Sequence, residues 1–537
     1  MYSAMNLKRN LLLIFVSALL CLAGASGNGS VPQETPVTAE RRGRQIYFQG
    51  TSQSGKPILA YLGDDALEVP ASTLPCANCH GANGQGKPEG GVIPSNITLE
   101  ALTKPYGLTH ASGRKHPAYT NRGLELAITR GLDPGGNKLL PVMPRYSMSR
   151  EDMADLILYM GRLGKDMDPG IEENKIVIGT LVPASGALAE LGQTIKLVTS
   201  AVFADVNAAG GIYNRKLELS VAETGDSPAA TRAKLDRTLT AAPVFAMTGT
   251  FIAGSEKEVL SLTSQKEIPQ IGPFTLYPRA MIEPQPRVFY LLAGVDDQAR
   301  ALVEFASRKP EVKSGGIFIV HLQNENNKSV VEGIEQQNKL ASLPAAETFG
   351  YLTGSFDAEA TVRQAKPPRR DAVFLLGSTA DALSFMREAD QAGWHPNIFL
   401  SAVTSQEIFK APAGFDKRIF IPFPNTPADQ STQGLNEFRA FAARHKLPAT
   451  HIASQIMAYS AARILIDSLK TAGRDLTRER FLQAVESLYE HKTGLIPPIS
   501  YGPNRRIGSL GAYVVTINLK ESKFEPASGF IDVARTK

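Results

Sequence analysis

Residues 76–80 read Cys76-Ala77-Asn78-Cys79-His80, and this short stretch decides how the front of the chain is to be read. Two thiols three positions apart, followed at once by an imidazole, have the spacing at which a haem can be bonded through both vinyl carbons while the histidine reaches its iron. A zinc site would need a second ligand pair at comparable spacing, and the only other cysteine is Cys21. A redox dithiol belongs in a βαβ setting, whereas here an irregular Pro/Leu segment leads in and a glycine-rich loop, Gly81 to Gly91, follows. That loop offers Gly84 and Gly86 but no third glycine at dinucleotide-binding spacing. The cofactor expected is therefore one covalent haem c, with iron bound by His80.

Upstream, Lys8 and Arg9 precede an apolar run from Leu11 to Ala23, and Ala23-Gly24-Ala25 supplies a small-x-small cleavage pattern. Residues 1–25 read as a secretory signal peptide cleaved near Ala25, its apolar run short of the ~20 residues a membrane span needs. Leu20 stands before Cys21 where a lipid-attachment site would want a small residue. Cleavage removes two positive charges and no negative ones, so the formal net charge of +5 becomes +3, too mild for nucleic-acid binding. Haem attachment after export points to the periplasm.

A chain of 537 residues exceeds one hydrophobic core. Its text changes near residue 170, giving a haem domain over 38–168, a linker at 169–173 and a second domain over 174–537. The first closes on a helix that Ser149 can cap with Asp152 three residues on, and Met153, Leu156, Ile157, Met160 and Leu163 share its apolar face. In the second, strand candidates at Leu217–Val221, Val244–Thr248, Val288–Leu292, Ile317–Val320, Val373–Leu376 and Ile398–Leu400 alternate with helical stretches such as Ser255–Lys266, Gln298–Arg308 and Ala380–Ala392. Alternation of this kind predicts parallel α/β layers in two lobes.

The haem motif, with Leu140-Pro-Val-Met143-Pro before the closing helix, resembles small c-type cytochromes. The resemblance implies a small all-α domain and makes Met143 the sixth ligand of the iron; Met148, His110 and His116 are its competitors. Asp205-Val-Asn-Ala-Ala-Gly-Gly211, Arg215-Lys-Leu-Glu-Leu219, Gly249-Thr-Phe-Ile252, Ile268-Pro-Gln-Ile-Gly-Pro273 and Ala293-Gly-Val-Asp296 follow one another as in type I periplasmic binding proteins of the branched-chain amino-acid class. This second resemblance spans residues 174–537 and implies a two-lobed α/β fold with ligand between the lobes.

The amino-acid clamp of that class is incomplete here. Ala253 and Leu276 replace hydroxyls, Ser378-Thr379 replaces aromatics and Val403 replaces an acid, while Asp296 remains as an ammonium partner. A zwitterion buried with so few partners is strongly disfavoured, so a different small molecule is expected. Its candidate contacts are Ser185, Thr250, Phe251, Ser255, Thr275, Tyr277, Asp296, His321 and Ser378. Ordinary capping or packing competes at each of them.

No serine nucleophile elbow, metal-binding helix or phosphate loop occurs. The sequence reads as a periplasmic electron carrier tethered to a small-molecule-binding module, rather than as a catalyst. Residues 81–150 hold nine Lys/Arg against four Asp/Glu, a bias suited to an acidic redox partner. Two alternatives stand beside it: a receptor for an inner-membrane ABC-type transporter with an accessory haem domain, and a haem-dependent oxidoreductase acting on the cleft ligand.

Overall fold

The computed structural model describes residues 36–63, 65–81, 83–86, 93–110, 113–164, 167–278, 285–366, 370–403 and 405–533. The expected signal peptide lies outside the described residues. The chain forms two compact units, Met1–Asp166 and Met167–Lys537. No helix among the described residues is long and apolar enough to cross a membrane.

In the first unit the helices Pro36–Gln49 and Arg150–Met160 pack around Ile46, Tyr47, Met153, Leu156 and Tyr159. The closing helix begins as its sequence dictates: Ser149 Oγ accepts from Asp152 N at 3.1 Å and donates to the Asp152 carboxylate at 2.8 Å. Helix Asn121–Arg130 adds Leu124, Ala127 and Ile128 to the core. Two small antiparallel pairings accompany the helices. Strands β1 (Leu59–Leu62), β2 (Leu67–Pro70) and β5 (Arg145–Ser147) form one sheet in the order β2-β1-β5, and β3 (Leu108–Thr109) pairs with β4 (Lys115–His116). They are too short to carry a periodic signal, so the sequence announces only the helices.

Residues 169–173, expected as a linker, are woven into the second unit. Ile171 is buried, Val177 N donates to Gly170 O at 2.7 Å, and Asp168 Oδ2 accepts from Arg478 N at 2.5 Å.

The second unit holds two sheets. Strands β6 (Lys175–Val182), β7 (Lys216–Glu223), β8 (Ala246–Thr248), β9 (Gln270–Ile271) and β10 (Val288–Leu292) are followed by β11 (Ile317–Leu322), β12 (Glu347–Tyr351), β13 (Ala372–Leu376), β14 (Asn397–Leu400) and β15 (Ile419–Phe423). The last four are β16 (Ile507–Ser509), β17 (Gly511–Asn518), β18 (Lys523–Pro526) and β19 (Ile531–Asp532). One lobe's sheet runs β16-β10-β9-β8-β6-β7, all parallel. The other runs β12-β11-β13-β14-β15-β17-β18, parallel through β15 and antiparallel from there on, with β19 on β17.

The inner parallel strands β6, β10, β11, β13 and β14 are buried on both faces, as strands of a sheet covered on both sides are, whereas the edge strands β7 and β12 carry exposed residues. The chain passes between the sheets after β10, after β15 and between β16 and β17, which makes the second unit two lobes joined by three crossovers. At the first of these Val295 N donates to Leu276 O at 2.9 Å, and a Cβ on Gly294 would lie 2.1 Å from Pro278 Cδ, so the crossover is pressed against the loop after β9.

Candidate functional site

The Cys76–His80 segment forms a single helical turn whose flanks are held by two tyrosines. Tyr47, fully buried, donates to Gly81 O at 2.7 Å, and Tyr146 donates to Leu74 O at 2.6 Å. Burial raises both phenols above the ordinary tyrosine range, and the nearby Cys76 thiol adds to it. Cys76 is half-buried with its thiol pushed up to about 12, first by burial, while Cys79 is exposed. The glycine loop then folds back. Gly86 N donates to His80 O at 2.9 Å, and Gly86 adopts φ +90° where a Cβ would meet Pro94 O at 2.1 Å.

His80 supplies the test of whether this chain fits a haem. Its Nδ1 lies 2.9 Å from Ser95 O. A carbonyl only accepts, so Nδ1 carries the proton and Nε2 keeps a lone pair for iron. Burial lowers the pKa of the ring, favouring the neutral form that can ligate. The residues present fit a haem c.

Met143 sits half-buried in the turn before β5, its N donating to Leu140 O at 3.1 Å. Arg145 clasps that turn, donating to Leu139 O at 2.8 Å, to Leu140 O at 3.4 Å and to Met143 O. Met148 packs against the core, and His116 has Nδ1 near Pro117 O at 2.8 Å and Nε2 near His110 Nε2 at 2.9 Å.

In the second unit the strand order locates a cleft on physical grounds. In the first sheet the strand after β6 lies on one side and the next lies on the other, so the order reverses between β6 and β8; β11 and β13 are the corresponding pair in the second sheet. Ligands of open α/β sheets bind beyond the carboxyl ends of strands at such reversals. Ser185 and residues 249–255 follow the first pair, while His321 and Ser378 lie at the ends of the second.

The expected contacts divide on inspection. Thr250 is fully buried and donates to Gln270 Oε1 at 3.1 Å. Ser378 is exposed, but its hydroxyl closes a capping box with Asp381, accepting at 3.1 Å and donating at 2.7 Å. Ser185 is exposed beside a short 3-10 turn, and Phe251 and Ser255 are half-buried. Thr275 donates to Glu256 Oε1 at 2.7 Å and accepts from Tyr277 N at 2.9 Å.

Burial raises the Tyr277 phenol, and the charges of Glu256 and then Asp296 raise it further. Asp296 is buried in the first turn of helix Val295–Ala306. His321 has a buried Nδ1 without a hydrogen-bond partner among the described residues. Glu256 was missed in the sequence, where it reads as a favourable first-turn helix charge. Trp394 packs edge-on to Phe385 at 6.0 Å.

A family model described as periplasmic binding protein matches residues 175–523, and one described as cytochrome c matches residues 71–164. A Leu/Ile/Val-binding protein homolog 8 of Brucella abortus is 25% identical over 232 residues, covering 41% of this chain and 56% of that relative. The chain thus spans little more than half the length of the curated relatives it matches. Among solved structures, a branched-chain amino-acid ABC transporter protein of Thermus thermophilus with bound valine aligns with a TM-score of 0.53 at 14% identity, covering 68% of this chain and 98% of that one. A fatty acid ABC transporter substrate-binding protein of Thermomonospora curvata gives 0.51 at 19%, covering 69% and 96%. At these identities the likeness is one of fold.

Proposed function

The chain belongs to the periplasmic binding protein family, and from that premise we propose a periplasmic electron-transfer protein in which one covalent haem c is tethered to a small-molecule-binding module. The cytochrome c domain implies the covalent haem. In this reading Cys76 and Cys79 would hold the haem through thioethers, and His80 Nε2 and the Met143 thioether would ligate its iron. When bound, the haem supplies the one-electron iron couple. The chain's own part is to hold: Ser95 O fixes the His80 tautomer, Tyr47 and Tyr146 fix the motif, and Arg145 fixes the methionine turn.

The observation that carries the reading is the His80 Nδ1 to Ser95 O contact, which leaves Nε2 as the ligating atom. Denaturing extraction of the full chain should leave haem on the polypeptide. Met143→Ala should abolish the weak sulfur-to-iron band of the oxidised spectrum and lower the potential. Haem released freely from wild type overturns the covalent assignment; an unchanged spectrum in Met143→Ala transfers the sixth position elsewhere.

The second unit is proposed to close on a small ligand other than a simple branched-chain amino acid. Supporting this, Leu276 and Val403 stand 45% and 60% exposed where the clamp of the class offers polar groups. An acidic redox partner for the haem domain and an inner-membrane transporter for the binding module are the proposed associations.

A further inference from the structure

Glu256 opens helix Glu256–Gln265 beyond the carboxyl end of β8, and residues 274–277 leave β9 beside it. Backbone contacts keep the two segments together past the strand ends: Phe274 N donates to Thr250 O at 2.7 Å, Ile252 N to Phe274 O at 3.1 Å, and Phe251 N to Leu181 O of β6 at 2.7 Å. Glu256 and Thr275 are thereby set at the reversal of strand order between β6 and β8, where an open α/β sheet receives its ligand.

The direction of one hydrogen bond decides the chemistry there. A carboxylate only accepts, so the Thr275 hydroxyl gives its proton to Glu256 Oε1 at 2.7 Å, and it accepts in turn from Tyr277 N at 2.9 Å. That hydroxyl is spent. What the site offers instead is the half-buried Glu256 carboxylate, with acceptor positions left over and Thr275 as its one hydrogen-bond partner among the described residues.

A second group points to a ligand. Tyr290 is 4% exposed, and its hydroxyl is buried without a hydrogen-bond partner among the described residues. Its ring packs in the core cluster of Ile252, Val259 and Leu260, residues on either side of Glu256, and the Glu256 charge adds to burial in raising its phenol. A buried hydroxyl left unpaired is costly, and a ligand atom can supply the missing partner. Exposed Leu276, between Thr275 and Tyr277, adds apolar surface.

We propose that the cleft of the second unit takes an amine that lacks a carboxylate, its ammonium donating to Glu256 and its apolar body lying on Leu276. This rests on the reading of the second unit as a small-molecule-binding module and names the class of its ligand. An ammonium has three donors and no acceptor, which suits the remaining acceptor positions of Glu256 and a lone pair of the Tyr290 oxygen. A ligand carboxylate at the same place would meet Glu256 as a like charge, with the Thr275 proton already committed.

Calorimetric titration of the full haem-loaded chain with 3-methylbutylamine, 2-phenylethylamine, 4-methylpentanoate and leucine separates the possibilities. The first is leucine without its carboxylate, and the third is leucine without its amine. At least one amine should bind and 4-methylpentanoate should not. Glu256→Gln keeps the side-chain size and an oxygen for Thr275, and should weaken the amine about 10–100-fold, the loss of a hydrogen bond between charged groups. Tyr290→Phe removes an unpaired hydroxyl at no cost in folding and should weaken it about 2–10-fold. Thermal unfolding reports that each variant is folded. Failure of both amines to bind below about 1 mM overturns the inference, as does an amine affinity unchanged in Glu256→Gln, which makes Glu256 a helix-end charge only. Binding of 4-methylpentanoate in place of the amines overturns it and leaves the binding-module reading standing; micromolar binding of leucine overturns it together with the ligand reading on which it rests.

Discussion

Arg145 offers the sharpest test of how the chain holds its methionine turn. Its guanidinium is half-buried over Gly131, where a Cβ would lie 2.0 Å from Nε, and it donates to three carbonyls of the turn that contains Met143. Two of those contacts are well made, and the one to Leu140 O is long at 3.4 Å. Hydrogen bonds to a charged group contribute about 1.5–3 kcal/mol, and partial exposure argues for the low end. Arg145→Ala should therefore cost about 3 kcal/mol. With a urea slope of ~1.5–2 kcal/mol per molar, the midpoint of the haem domain should drop by ~1.5–2 M. Arg145→Lys should recover only part of this, because one ammonium cannot fork across separate carbonyls. Urea titration followed by haem absorbance gives the midpoint, and the sulfur-to-iron band in the folded baseline reports whether Met143 stays in place. A wild-type midpoint together with an intact band in Arg145→Ala would refute the argument.

Gly86→Ala should lower haem incorporation and thermal stability together, since the methyl meets Pro94 O at 2.1 Å on a backbone of positive φ; haem yield per polypeptide equal to wild type would contradict it. Calorimetric titration of the full chain with leucine, isoleucine and valine should show no binding tighter than about 100 μM, because two or three lost bonds to charged groups remove several orders of magnitude; micromolar binding of any of them restores an amino-acid receptor. Burial alone would raise the Asp133 carboxyl, but hydrogen bonds from Asn137, Arg114 and Gly135 outweigh it and hold it below the usual range. Its stabilising contribution is present above the unfolded value of about 3.9 and lost as pH falls through the lower folded value, so Asp133→Asn should lower stability at neutrality and flatten the acid limb, the two stability curves converging at low pH; equal stability of wild type and variant at about pH 7 would contradict it.

The parts of the fold legible in the sequence are those written locally. The closing helix of the first unit was readable because Ser149, Asp152 and the spacing of Met153, Leu156 and Met160 act within one or two turns. The strand expected at Val288–Leu292 is observed with those bounds, and helices expected at Ser255–Lys266 and Ala380–Ala392 occur at Glu256–Gln265 and Thr379–Gln391. What escaped depends on partners distant in sequence. Nothing near Tyr47 signals that its hydroxyl meets Gly81, and nothing near Arg478 signals that it gathers the carbonyls of Val244, Phe245 and Lys266. Ser378 shows a different limit: a hydroxyl after a strand suits a ligand and a helix cap equally, and the capping box it forms depends on Asp381 three residues on. Thr250 likewise bonds to Gln270, a partner that nothing beside it in sequence signals.

The paired tyrosine clamp also spreads the fastening of one short turn across the unit. Tyr47 lies before the Cys76–His80 turn and Tyr146 well after it. Neither flank of the turn is held by its own neighbours in sequence, so the motif keeps its shape only while segments remote along the chain stay packed together, and loosening either one frees one side of it.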